Sequence, residues 1–241
     1  MIDPTAVGFY TKNPEENYID TYDVQHGERL DKLVEHYKLN QLKGVRVADV
    51  GGGLGFLGRR LDPSVDYWVF DGADYPEEKR VSKGTWVGVD VQRSPFGRRY
   101  TTYEWANPGC DIAFREHDTP LFDVTFCLET LEHLSDPYHC LIQMKAMTKP
   151  DGDIFISVPT ETVWHNVVYP GLMWPQQNWE QFLGQMALPV LDRWTYTPSP
   201  GRGWPAYCHR LRNANWTEAR YAFPKAEAKF RGKTPVEMTN L

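Results

Sequence analysis

At 241 residues, 41% of them hydrophobic and 24% charged, the chain has the composition of a soluble globular protein with room for a sizeable core, in one large domain or one domain with insertions. No apolar run approaches the length of a membrane span, and Met1-Ile-Asp-Pro-Thr-Ala lacks the basic-then-apolar form of a signal peptide. A net charge of −6 argues against nucleic acid as the main partner, although Arg98-Arg99 and Lys225–Lys233 are local basic patches; four scattered cysteines without a CxxC pair indicate no disulfide framework or zinc site and fit a reducing, cytoplasmic setting.

Residues 1–22 read as an irregular lead-in carrying Tyr10, Tyr18 and Tyr22. Over 24–39, Leu30, Leu33, Val34 and Tyr37 recur at helical spacing with charges between them, which predicts an amphipathic helix ended by Gly44. Val45–Val50 is the first strand. A glycine-rich turn follows, then a helix starting at Phe56–Leu61 and stopped by Asp62-Pro63. Asp66–Asp71, closed by Gly72, and Thr85–Val91 are the second and third strands. Residues 92–117 have no clear pattern and are expected to hold an insertion. Phe122–Leu128 is the fourth strand, and Ser135-Asp136-Pro137 starts a helix with Cys140, Leu141, Met144 and Met147 on one face. Lys149-Pro-Asp-Gly152 is a turn before a fifth strand, Asp153–Val158. Alternating strands and helices with right-handed crossovers predict a doubly wound, mostly parallel α/β sheet.

Beyond Pro159 the style changes. Residues 160–205 hold Trp164, Trp174, Trp179, Trp194 and Trp204 among many prolines, as expected of a cap or insertion, and Ala206–Phe223 is placed to supply a last strand or two. The expected organisation is a lead-in and helix over 1–43, an α/β core over 44–159, and an aromatic-rich cap with C-terminal strands over 160–241 that completes the same domain.

The glycine-rich turn carries the chemistry. A β-branched run ends in Asp49, and Gly51, Gly53 and Gly55 alternate behind it. Glycines after a strand let bare backbone approach a ligand, in the layout of a nucleotide-type cofactor site. Two frames compete. Gly53-x-Gly55-x-x-Gly58 matches the dinucleotide fingerprint of a nicotinamide-dependent oxidoreductase. In the other frame, Asp49-x-Gly51-x-Gly53-x-Gly55 resembles the first motif of class I S-adenosylmethionine-dependent methyltransferases. Charge favours the second frame: Asp49 would repel a pyrophosphate but attract an ammonium and a sulfonium.

The resemblance runs over roughly 44–159 in motif order. It implies a Rossmann-like methyltransferase fold and S-adenosyl-L-methionine as cofactor, held by Asp49, Gly51, Gly52, Gly53 and Gly55 and, at the end of the second strand, by Asp71 and Gly72. Asp71 matches the family's acidic residue for the ribose hydroxyls, and a carboxylate suits a cis-diol. For the adenine contact, Asp90 fits by its strand and Asp118 by its position before the fourth strand; both stay open. Phe122-Asp-Val-Thr-Phe-Cys-Leu-Glu-Thr-Leu-Glu-His133 resembles the family's fourth strand and following loop. That places Leu128 and Glu129 at the cofactor edge and His133 near the sulfonium or the acceptor, as a general base or as a loop-shaping residue. Lys149–Gly152 and Ile154–Pro159 resemble the family's turn and fifth strand.

The implied reaction is methyl transfer to a small-molecule acceptor, most plausibly at a hydroxyl, with no metal required. Tyr10, Tyr18, Trp164 and Trp174 are candidate walls of an acceptor pocket. RNA, stacked on aromatic side chains, is the less favoured acceptor. The alternatives are the oxidoreductase frame and a non-catalytic binding module on the same fold. The oligomeric state is not legible.

Overall fold

The computed structural model describes residues 19–73, 75, 77–89, 91, 121–134, 136–160, 180–181, 183–184, 186–200 and 204–214. Seven strands form one sheet: β1 (Arg46–Val50), β2 (Asp66–Asp71), β3 (Thr85–Gly88), β4 (Phe122–Leu128), β5 (Thr148–Pro159), β6 (Val190–Tyr196) and β7 (Ala206–Arg212). Their spatial order is β3-β2-β1-β4-β5-β7-β6. β1 to β5 pair in parallel, and β7 runs antiparallel to both β5 and β6. The chain reverses outward between β1 and β4, and ligands of open α/β sheets bind at the strand ends beside such a switch.

Among the described residues two helices cover the faces, α1 (Ile19–Tyr37) and α2 (Pro137–Met147). α1 buries His26, Arg29, Leu30, Leu33 and Val34, one stripe at helical spacing, and packs its apolar members with Val47, Val69, Phe126 and Phe155. It ends where Lys38 turns left-handed at φ 54°. α2 is capped by Asp136, whose side chain accepts the His139 N–H, with Pro137 in the first turn. Its buried Cys140, Leu141, Met144 and Met147 pack with Ala48, Val50, Ile154 and Ile156. Successive strand residues thus enter opposite layers, so these strands read as continuous apolar runs.

Besides helix α1, which starts at Ile19 inside the segment expected to be an irregular lead-in, four expectations are corrected. The segment after the glycine turn is a short 3-10 turn, Gly58–Arg60, rather than an α-helix. Between Gly55, left-handed at φ 82°, and Asp62-Pro63 there is too little chain to repay helix nucleation, and the Arg60 guanidinium donates to the Phe56 carbonyl. The third strand ends at Gly88, short of Val91. Lys149–Gly152 is absorbed into β5 as an irregularity: the register jumps from Phe122↔Thr148 to Val124↔Asp153, with Asp151 at φ 61°. Finally, 190–196 is an edge strand inside the segment expected to be cap, and its exposure alternates along Val190-Leu-Asp-Arg-Trp-Thr-Tyr196. No described helix is long and apolar enough to cross a membrane.

Candidate active site

The C-terminal ends of β1, β2 and β4 meet at the glycine-rich turn. Gly51, Gly53 and Gly55 all have left-handed φ values, 72°, 53° and 82°, where side chains are strained. At Gly51 a Cβ would also lie 2.3 Å from the Thr130 hydroxyl oxygen, so the turn after β1 sits against the loop after β4. Thr130 is held in turn by donating to the Leu128 carbonyl. Gly52 lies on Asp49: its Cβ would come within 2.6 Å of that carboxylate.

Two carboxylates flank the turn. Asp49 is 3% exposed and accepts a hydrogen bond from the Tyr67 hydroxyl. Burial pushes its pKa up to about 7; the Tyr67 hydroxyl opposes that rise, and the Asp71 carboxylate adds to it. Asp71, at the end of β2, accepts the Gly53 N–H at 2.9 Å and the Ala73 N–H at 2.8 Å. Burial raises its pKa too, against the backbone N–H groups of Ala73, Gly53 and Gly72. Trp86 on β3 donates its indole N–H to the Gly53 carbonyl and closes the other side of the turn.

A second polar group sits at the end of β4. Glu129 adopts φ 52°. Its carboxylate pairs with Arg29 of α1 at 3.0 Å and accepts from the Ser157 hydroxyl at 2.9 Å and the Trp204 indole at 2.7 Å. Burial raises its pKa; Arg29 opposes this, and Glu132 reinforces it. The His26 ring meets the Trp204 ring edge-on at 4.7 Å. His133 is buried in the 3-10 turn Leu131–His133, with Nε2 3.7 Å from a Glu132 carboxylate oxygen, and its backbone N–H donates to the Thr130 carbonyl.

The structure therefore brings Asp49, Gly51, Gly52, Gly53, Gly55, Asp71 and Gly72 to one turn, and Leu128, Glu129 and His133 to the adjoining loop. Asp90, Asp118, Tyr10, Tyr18, Trp164 and Trp174 lie outside the described residues. Sequence reasoning missed Tyr67, Thr130, Arg29, His26 and Ser157. For His26 and Arg29 a signal existed: they continue the apolar stripe of α1 one turn back, as polar residues on a buried face. Gly58, the last glycine of the dinucleotide frame, packs on the Tyr67 ring, which its Cβ would approach to 2.4 Å.

The arrangement suits a ligand with a cation and a diol. Bare backbone lines the turn, a buried carboxylate with one hydroxyl donor stands at one end, and a backbone-anchored carboxylate stands at the other. Among the described residues no Lys, Arg or His forms an ion pair with Asp49.

A family model described as Methyltransferase domain matches residues 22–220. Among curated proteins, the chain is 45% identical over 129 residues to the ubiquinone biosynthesis O-methyltransferase of Haemophilus ducreyi, covering 52% of this chain and 50% of that protein. It is 28% identical over 149 residues to the protein of the same name from Actinobacillus pleuropneumoniae, covering 56% and 53%. The chain thus spans about half the length of the curated relatives it matches. Among solved structures, the N-methyltransferase NodS from Bradyrhizobium japonicum in complex with S-adenosyl-L-homocysteine superposes with a TM-score of 0.58 at 15% identity, over 88% of this chain and 100% of that one. Magnesium protoporphyrin IX methyltransferase from Synechocystis with bound S-adenosylmethionine gives 0.57 at 12% identity, over 88% and 98%. At these identities the likeness shows a shared fold.

Proposed function

The chain belongs to the methyltransferase-domain family, and from that premise we propose that it transfers a methyl group from S-adenosylmethionine to the hydroxyl of a small-molecule acceptor. The observation that carries the reading is the hydrogen bond from the Gly53 N–H to Asp71, which holds a carboxylate at the mouth of the left-handed glycine turn. Asp71 keeps lone-pair capacity beyond its backbone donors Gly53, Ala73 and Gly72 and accepts the ribose hydroxyls. Asp49 supplies negative charge for the ammonium and sulfonium. Gly51, Gly52, Gly53 and Gly55 form the floor, Gly72 adds an N–H to the Asp71 carboxylate, and Leu128 lines the adjoining strand end.

When bound, S-adenosylmethionine supplies an activated methyl group on a positively charged sulfur. The protein's work is alignment of donor and acceptor, with removal of the hydroxyl proton during attack. We assign that proton to His133, on the loop after β4. Glu129 serves through its side-chain partners, tying α1, β5 and Trp204 to the same edge. Residues 44–159 are read as the cofactor-binding core, and the described parts of 1–43 and 160–241, helix α1 and strands β6 and β7, complete the same domain. The hydroxyl acceptor is favoured by the O-methyltransferase names of the curated relatives; NodS, named for N-methylation, shares the fold alone. The dinucleotide frame loses its support, since Gly58 is accounted for by packing on Tyr67.

Calorimetric titration tests the donor: S-adenosylmethionine and S-adenosylhomocysteine should bind near micromolar, on the order of −8 kcal/mol. No heat from either compound at millimolar concentration refutes the reading. Transfer of labelled methyl to a panel of phenols, catechols, sugars, amines and RNA tests the acceptor; label on amines or RNA but no hydroxyl overturns that part.

A further inference from the structure

Tyr67 lies in β2 opposite Val47 of β1, 3% exposed, beneath the glycine-rich turn. Its hydroxyl donates to Asp49 Oδ2 at 2.5 Å. Glycines from separate parts of the chain make room for this pair. A Cβ on Gly58 would lie 2.4 Å from the Tyr67 ring, one on Gly84 would lie 2.6 Å from the Tyr67 carbonyl and 3.0 Å from its ring, and one on Gly52 would meet the Asp49 carboxylate at 2.6 Å. A phenylalanine would fill the same ring space. Packing accounts for the ring, and the hydroxyl is directed at Asp49.

We propose that Tyr67 is a positioning residue for the methyl donor: from beneath the turn its hydroxyl fixes the Asp49 carboxylate, in orientation and in its charged form, to receive the donor's positive charge. The proposal rests on the reading that this turn binds S-adenosylmethionine. Among the described residues, the other groups that act on Asp49 carry no positive charge. They are the Asp71 carboxylate at the end of β2 and the Cys127 thiol on β4, whose own pKa rises partly through Asp49. With no described cationic side chain paired to it, the Asp49 charge depends on one hydroxyl donor and on the ligand. Removing that donor should shift the balance toward the neutral acid, which attracts no sulfonium.

The test is calorimetry of S-adenosylmethionine and S-adenosylhomocysteine binding to wild type, Tyr67→Phe and Asp49→Asn between pH 6 and pH 9, with folding checked by circular dichroism. Tyr67→Phe should bind S-adenosylmethionine about tenfold more weakly near pH 7 and return to within about threefold of wild type by pH 9, where Asp49 ionises without help. The loss should be smaller for S-adenosylhomocysteine, which keeps the ammonium and lacks the sulfonium charge. Asp49→Asn should be weak throughout, with no recovery. Carbon-13 NMR of the Asp49 carboxyl in the ligand-free protein should show a higher titration midpoint in Tyr67→Phe than in wild type. Wild-type affinity in Tyr67→Phe at every pH, a loss independent of pH, or an unmoved Asp49 midpoint overturns the proposal alone. Wild-type protein that binds neither compound overturns the underlying reading and this proposal with it.

Discussion

Arg29 of the N-terminal helix and Glu129 at the end of the fourth strand form a 3.0 Å ion pair between side chains 3% and 7% exposed. Glu129 also receives Ser157 of the fifth strand and Trp204 ahead of the seventh, so one carboxylate ties four parts of the chain to the edge of the candidate site. Burial makes such a group costly when left alone and cheap to keep when fully partnered.

Arg29→Met should therefore destabilise the protein by about 3–5 kcal/mol, because it strands the Glu129 carboxylate. Arg29→Met combined with Glu129→Gln should be more stable than Arg29→Met alone, since the glutamine carries no charge and still accepts from Ser157 and Trp204. Urea denaturation of both single variants and the double variant reads the coupling. Additive losses would remove the pair from this role.

Asp71→Ala should weaken S-adenosylmethionine binding by ~30-fold or more, about 2 kcal/mol, by removing two acceptors for charged hydrogen bonds. The loss of the Gly53 N–H partner adds to it. Calorimetry on a variant whose circular dichroism matches wild type decides the matter; unchanged affinity clears Asp71 from the site.

Asp49 sets a pH dependence whose sign is unusual for a carboxylate. Its folded pKa, about 7, lies above the ordinary 3.8, so the folded state binds the extra proton between those limits. The contribution to stability is then largest below about pH 4 and declines as pH rises toward about 7. Asp49→Asn should abolish that decline in the ligand-free protein, giving an advantage of on the order of 2–4 kcal/mol at pH 8 that vanishes near pH 4. Denaturant unfolding at pH 4.5, 6 and 8 measures it. A wild-type profile that rises over this window contradicts the assignment.

Two glycine substitutions separate strain from contact. Gly44 is left-handed at φ 61°, and a Cβ there would meet nothing within 4 Å, so Gly44→Ala should cost about 1 kcal/mol of stability and leave cofactor affinity unchanged. Gly52 is not left-handed, yet its Cβ would press on Asp49, so Gly52→Ala should lower S-adenosylmethionine affinity at least tenfold. Equal effects of the two on binding would mean that the turn does not hold the donor.

His133→Ala should reduce kcat by ~10²–10⁴ without altering cofactor affinity, if the imidazole removes the acceptor proton. A rate within threefold of wild type would leave His133 a loop-shaping residue.

Strands β2 and β4 were legible to the residue because each is a short apolar run bounded by glycine, proline or charge. The glycine-rich turn was legible from its closely spaced glycines, and their left-handed φ values are a conformation that glycine permits without strain. The short 3-10 turn that follows was not, since its apolar residues carry a helical signal while the chain length before Asp62-Pro63 decides against an α-helix. Strand β6 was hidden by the surrounding tryptophans and prolines, although its alternation was present.

By itself, then, the sequence determined the layered α/β architecture and the glycine-rich turn, because these follow from local backbone preference and period, while the family and the candidate set Asp49, Gly51, Gly53, Gly55 and Asp71 came from the resemblance of its motifs. Only the tertiary structure decided what each carboxylate faces. Tyr67 reaches Asp49, and Arg29 and Trp204 reach Glu129, across separations along the chain that no local pattern encodes. Those partnerships arise when strands and helices pack, and burial then makes each donor count.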